Sequence, residues 1–304
     1  HPAFYQDSMR IIYEERDHIE PHETLLIELS RGCKFKCMFC TTPMRGVQED
    51  MTRPADDLRQ ELLDNYNRWG TTNYYFADET VNDSTYKLKK FGDVFAEMPF
   101  EPYTTGFTRA DLLSSRPEDI PHMLNMGYRG HFYGVESFNH ASAKFCRKGM
   151  NSERIQDTLL QTRETFGGND RYRGCISLIL GLPHETMDTL TATKDWLVKN
   201  WQGQHSVFYP LYINEDPNKE DYYSGGSELS ELSGNMRKHG YEDMRPKLYE
   251  PGYIEANWRE DQHQQVRDLR EHFEGTIWER PVEGLNMVDA MLMKEEVWRV
   301  DYSK

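Results

Sequence analysis

Three cysteines stand close together in Arg31-Gly32-Cys33-Lys34-Phe35-Lys36-Cys37-Met38-Phe39-Cys40, with three and then two residues between them. Thiolates are soft ligands, and three on one loop suit an iron–sulfur cluster. A four-iron cubane held by three protein thiolates keeps one iron without a protein ligand, open to a small molecule that chelates through an amine and a carboxylate. A structural zinc site would instead need a fourth ligand, usually from a second close pair of Cys or His. Cys146 and Cys175, the remaining thiols, supply no such pair and are too few for a second cluster. Free cysteines of that kind are commonly small buried hydrophobes. Five cysteines with three in one segment suit a metal site in a reducing compartment better than a disulfide framework.

The loop must be positioned by regular elements, and apolar β-rich runs alternate with helical patterns along most of the chain. Strands are predicted at residues 25–30, 73–77, 103–107, 130–134, 175–180 and 206–212, and helices at 54–69, 84–98, 118–126, 152–166 and 186–200. Thr52 reads as the cap of the first helix and Pro54 as part of its first turn. This alternation is the signature of βα units on a parallel sheet. The fold class expected is α/β, a partial (β/α)6 TIM-type barrel with a C-terminal elaboration. Residues 1–21 form an N-terminal extension, 22–212 the core barrel, and 213–304 the elaboration, which contains the polar run Ser224-Gly225-Gly226-Ser227 and helical patterns near 259–274 and 285–297.

The length, 304 residues, allows one sizeable core. Hydrophobic residues make up 37%, yet aromatics reach 12%, which describes a folded chain with a charged surface rather than a disordered one. With 51 acidic against 36 basic residues, non-specific binding to nucleic acid or to an anionic membrane is not expected. No membrane-length apolar run and no signal-peptide pattern occurs, so the expected compartment is cytoplasmic. A chain that opens on His1 reads as trimmed from something longer.

Taken together, the sequence resembles the radical S-adenosylmethionine (SAM) superfamily over roughly residues 22–212, within the group containing oxygen-independent coproporphyrinogen oxidase and the cobalamin-type enzymes. Besides the cysteine loop, four segments carry the resemblance: Tyr75-Phe76-Ala77-Asp78-Glu79-Thr80, Thr108-Arg109-Ala110-Asp111-Leu112-Leu113, Gly134-Val135-Glu136-Ser137, and Ile179-Leu180-Gly181-Leu182-Pro183-His184-Glu185-Thr186. Each falls where a strand ends, the face on which β/α barrels build active sites. The resemblance implies a [4Fe-4S] cluster on Cys33, Cys37 and Cys40, with SAM on the open iron. It implies that the Asp78-Glu79-Thr80 segment takes the SAM ammonium, through the side chain of Asp78 or Glu79 or through the backbone at 78, where the family often has Gly-Gly-Glu. An Asp that merely caps the following segment is the plain alternative. Glu136 is implied at the ribose or methionine end, Lys148 at the SAM carboxylate, and Arg109 or Arg147 as further cations. Phe39 would pack the adenine, Leu180 and Gly181 would approach the same ring, and Ser177 would touch the ribose.

The function so implied is reductive cleavage of SAM to a 5′-deoxyadenosyl radical that abstracts hydrogen from an unidentified organic, peptide or nucleotide substrate, with electrons from a flavodoxin- or ferredoxin-like donor. The substrate would lie over the barrel mouth near Asp221-Tyr222-Tyr223. One alternative is the core of a cobalamin-dependent radical SAM methyltransferase without its cobalamin domain. Cobalamin itself is not supported by this chain: Asp261-Gln262-His263 begins an Asp-x-His-x-x-Gly run, but Val266 stands at the glycine position. Another alternative is a non-catalytic iron–sulfur interaction protein. A tRNA methylthiotransferase is disfavoured, since no basic C-terminal RNA-binding module is seen.

Overall fold

Parallel strands need long crossovers, and the chain supplies a helical crossover between each pair of successive sheet strands. The computed structural model describes residues 9–40, 51–149, 151–180, 182–185 and 187–210. In chain order these form β1 (Thr24–Ile27), β2 (Ser30–Arg31), β3 (Met51–Thr52), α1 (Ala55–Trp69), β4 (Asn73–Phe76), α2 (Thr85–Ala96), β5 (Tyr103–Thr108), α3 (Ala110–Ser115), α4 (Ile120–Asn125), β6 (Tyr128–Glu136), α5 (His140–Phe145), α6 (Ser152–Thr165), α7 (Gly168–Arg171), β7 (Arg173–Leu180), α8 (Met187–Asn200) and β8 (His205–Pro210). Six strands pair in the order β1-β4-β5-β6-β7-β8, every pair parallel. Sequential parallel order collects all the strand-to-helix loops at one edge of the sheet, which makes the partial TIM-type barrel expected from the sequence.

The pleat sends alternate residues to opposite faces. Leu25, Ile27, Tyr74, Phe76, Tyr133, Val135, Ile176 and Leu178 join Leu58, Leu62, Leu88, Phe91 and Phe95 of the helices in one buried core. On the other face Phe107 meets Tyr75 edge-on at 6.3 Å and Phe132 at 4.9 Å. Burial on both faces explains why the strands read as near-continuous apolar runs.

Three local expectations are corrected. The strand predicted over 25–30 is broken: β1 ends at Ile27, and Ser30–Arg31 pairs antiparallel with Met51–Thr52 instead. Thr52 therefore belongs to a strand, and Pro54 takes the cap position of α1. Finally, the pattern over 118–126 opens with a 3-10 turn at Pro117–Asp119 before α4 begins. The C-terminal elaboration, with Tyr222, Tyr223 and the helical patterns beyond, lies outside the described residues.

Candidate active site

The cysteine loop leaves β2 through Gly32, whose φ of 92° is accessible to glycine at little cost. Its neck is the β2–β3 ladder, reinforced by Arg53 N donating to Leu29 O at 3.0 Å. Cys33, Cys37 and Cys40 are reduced thiols of intermediate burial, and Cys40 N donates to Cys37 O at 3.1 Å in the turn that links the last two. Neighbouring elements grip the loop. Arg147 Nη1 donates to Lys36 O at 2.7 Å from the end of α5, and Arg109 Nη1 donates to Cys37 Sγ at 3.4 Å from the end of β5. Thr80 Oγ1 lies 3.9 Å from Cys33 Sγ, and Arg31 forks onto Glu28, with Nη2–Oε2 at 2.6 Å. Burial pushes the Cys33 thiol pKa up, opposed by hydrogen bonds from the Phe35 backbone and Thr80.

These donors fit an anionic iron–sulfur group: three soft ligands on one loop, partly shielded from water, with N–H and O–H groups beside two of the sulfurs. No group of three His, Cys, Asp or Glu among the described residues is gathered tightly enough to hold one metal ion.

Beneath the loop runs a buried polar network. Asp78 Oδ1 accepts from Ser30 Oγ at 2.6 Å, and Oδ2 from Leu29 N at 2.9 Å. Lys87 Nζ donates to Ser30 Oγ at 2.9 Å and to Thr80 O at 2.8 Å, and pairs with Asp83 Oδ1 at 2.7 Å and Asp78 Oδ1 at 3.7 Å. Ser30, Asp78, Asp83 and Lys87 are all buried. The Asp78 carboxylate, expected as one partner for the SAM ammonium, is thus turned into the protein, where it fixes the break between β1 and β2. Glu79 beside it is exposed.

The end of β6 carries a second polar group. Lys148 Nζ lies 3.1 Å from Glu136 Oε1 and donates to Gly134 O at 2.8 Å. Glu136 takes φ 66°, a left-handed conformation that a non-glycine residue adopts only under local constraint, at the register shift between β6 and β7. A Cβ at Gly134 would come within 2.7 Å of Glu136 Oε1 and 3.2 Å of Lys148 Nζ, so the close pair depends on glycine there. Cys146 is fully buried, its thiol pKa raised by desolvation, and Cys175 is buried in β7.

The structure places Glu136, Lys148, Arg109 and Thr80 at or beyond strand ends of one sheet, whereas Ser177 lies inside β7, buried opposite Gly134. Phe39 is half-buried in the cysteine loop. Leu180 ends β7, and its side chain lies outside the described set. Residues 27–197 match the radical SAM superfamily, more than half of the chain. The chain belongs to that superfamily. A curated protein of Pyrococcus horikoshii described as an uncharacterized methyltransferase is 24% identical over 169 residues, which is 55% of this chain and 35% of that one. Among solved structures, the radical SAM methyltransferase TsrM of Kitasatospora setae, with cobalamin and a [4Fe-4S] cluster bound, superposes with a TM-score of 0.50 at 15% identity, covering 62% of this chain and 36% of TsrM. The coproporphyrinogen III oxidase of Escherichia coli gives a TM-score of 0.42 at 16% identity, covering 73% of this chain and 54% of that one. The chain therefore spans about a third of the length of the first two relatives, and at these identities the structural likeness concerns the fold.

Sequence reasoning passed over several residues that shape this candidate site. Ser30, Asn82, Asp83 and Lys87 form or flank the buried network, and the signal was a lysine four residues after an aspartate on the apolar side of a helix. Asp111 and Glu185 stood inside quoted segments without roles. Asp111 Oδ2 accepts from Arg109 Nη2 at 2.6 Å. Glu185 accepts from Ser137 Oγ at 2.8 Å and from Leu182 N at 3.1 Å, stapling the turn after β7 to the end of β6.

Proposed function

We propose that this radical SAM protein holds a [4Fe-4S] cluster on Cys33, Cys37 and Cys40 and cleaves SAM reductively. The observation that carries the reading is the cysteine loop itself, clamped by Arg109, Arg147 and Thr80 at the strand-end edge of a parallel sheet. When bound, the cluster supplies an electron that splits the sulfonium carbon–sulfur bond of SAM, giving methionine and a 5′-deoxyadenosyl radical that takes a hydrogen atom from the substrate.

The chain's own residues bind and orient. Glu79, exposed at the end of β4, offers a carboxylate to the SAM ammonium, and the backbone at Asp78 is a second acceptor. Lys148 offers a cation to the SAM carboxylate, and Glu136 accepts from the ribose hydroxyls; each is held ready by the other. Ser177 and the backbone at Leu180 approach from β7, and Phe39 offers a ring face to the adenine. The expected electron donor is a small flavodoxin- or ferredoxin-like protein. Lys34 and Lys36 are exposed on the loop, and Arg147, which donates to Lys36 O, is exposed with Lys144 three residues before it in the chain, an arrangement that suits an acidic donor.

A second reading, a radical SAM methyltransferase that uses a cobalamin domain outside this segment, is favoured by the P. horikoshii relative and by TsrM. Product analysis separates the two. Reconstituted protein given dithionite and SAM should yield 5′-deoxyadenosine under the first reading; under the second, S-adenosylhomocysteine should appear among the products once cobalamin is supplied together with the domain that binds it. Neither product from a cluster-loaded protein would speak for the scaffold alternative.

A further inference from the structure

We propose that Arg109 is a positioning residue that keeps a hydrogen bond on the Cys37 thiolate and so raises the reduction potential of the cluster; the inference rests on Cys37 being a cluster ligand. The guanidinium is buried, with the residue 6% exposed, and Nη1 donates to Cys37 Sγ at 3.4 Å. Every other side of the group is fixed. Asp111 takes one edge of the fork, through Nε–Oδ1 at 3.1 Å and Nη2–Oδ2 at 2.6 Å. The ring of Phe35, two residues before Cys37 on the same loop, lies 4.1 Å from the guanidinium carbon. Asn82 pins the main chain from both directions: Arg109 N donates to Asn82 Oδ1 at 2.9 Å, and Asn82 Nδ2 donates to Arg109 O at 2.9 Å. Backbone, fork edge and fork face are all determined, and the orientation they determine aims an N–H at a sulfur.

A donor aimed at a ligating thiolate withdraws electron density from the iron–sulfur bonds and favours the more negative, reduced state. Low exposure keeps that interaction from being screened by water. A guanidinium stays protonated throughout the range in which proteins fold, so the group is a permanent cation. The sequence resemblance suggested Arg109 as a cation for the SAM carboxylate. In the structure its fork is engaged with Asp111 and Cys37 instead, which separates the two roles experimentally.

The test is an EPR-monitored redox titration, without SAM, of anaerobically reconstituted wild type, Arg109→Gln and Arg109→Lys, with iron and sulfide content measured on each. In Arg109→Gln with a full cluster, the ratio of reduced to oxidised cluster at fixed poise should fall about tenfold, equivalent to ~59 mV for a one-electron couple. Arg109→Lys should shift in the same direction by less, since lysine keeps the charge but not the fork. A wild-type potential in a fully loaded Arg109→Gln overturns the proposal. Should Arg109→Gln fail to load, Arg109→Lys is read in its place, and a potential at or above wild type overturns it. Two variants that are folded by circular dichroism yet hold no cluster would overturn it in favour of a role in assembling the loop. Failure of the wild type to form any cluster would instead strike at the assignment of the cysteines.

Discussion

Glu136, with its left-handed backbone and its carboxylate against Lys148, shows how far a single residue is constrained at the end of β6. Gly134 makes the arrangement fit, and the atoms an added Cβ would meet are the ends of flexible side chains. Gly134→Ala should therefore leave the melting temperature nearly unchanged while weakening SAM binding about tenfold, as measured by calorimetry on reconstituted protein. Unchanged affinity would show that the pair does not meet SAM. Charge-assisted hydrogen bonds contribute about 1.5–3 kcal/mol, so Lys148→Met should weaken SAM binding by roughly 10- to 100-fold. Lys87 acts on stability instead. Its loss leaves Asp78 and Asp83 buried against each other, and breaking such a network costs about 3–5 kcal/mol, readable by urea denaturation of Lys87→Met.

The elements divide by whether one periodicity covers them. The six sheet strands and the long helices α1, α2, α6 and α8 were legible, because burial of a sheet face or a helix stripe leaves a repeating apolar pattern. The short α3, α5 and α7 were not, since pieces of four to six residues are too brief to show a helical period. The two-residue ladder β2–β3 was equally hidden: it exists because Asp78 ties down Leu29 N and Ser30 Oγ, a contact across 48 and 49 residues. For the same reason the site was legible in its cysteines and strand-end segments but not in its supports. Asp78 reads in sequence like a ligand, and only the fold shows that its carboxylate faces inward. At this scale Gly127 is the most exacting position. It holds φ 63° in the turn before β6, and a Cβ there would fall 1.8 Å from Pro102 O, which is backbone and cannot step aside. Gly127→Ala should destabilise the chain by roughly 3 kcal/mol or more, detectable as a lower melting temperature.

For the whole molecule, charge and placement point in different directions. The chain carries a net −15, yet Lys34 and Lys36 are exposed on the cysteine loop, and Arg147, in contact with it, is exposed three residues after the exposed Lys144. Reduction by an acidic flavodoxin should slow as salt rises, and a Lys36→Glu, Lys144→Glu double variant should lose most of that salt dependence. Reduction by dithionite should be untouched by the same changes. Among the described residues no helix is long and apolar enough to cross a membrane. The central claim concerns one open iron, and EPR spectroscopy of the dithionite-reduced, reconstituted chain with and without SAM tests it most directly. The account predicts about four irons per chain, a reduced-cluster signal that changes on adding SAM, and loss of that signal in Cys37→Ala. A tightly held zinc ion, or a cluster whose signal SAM leaves unmoved, would contradict it.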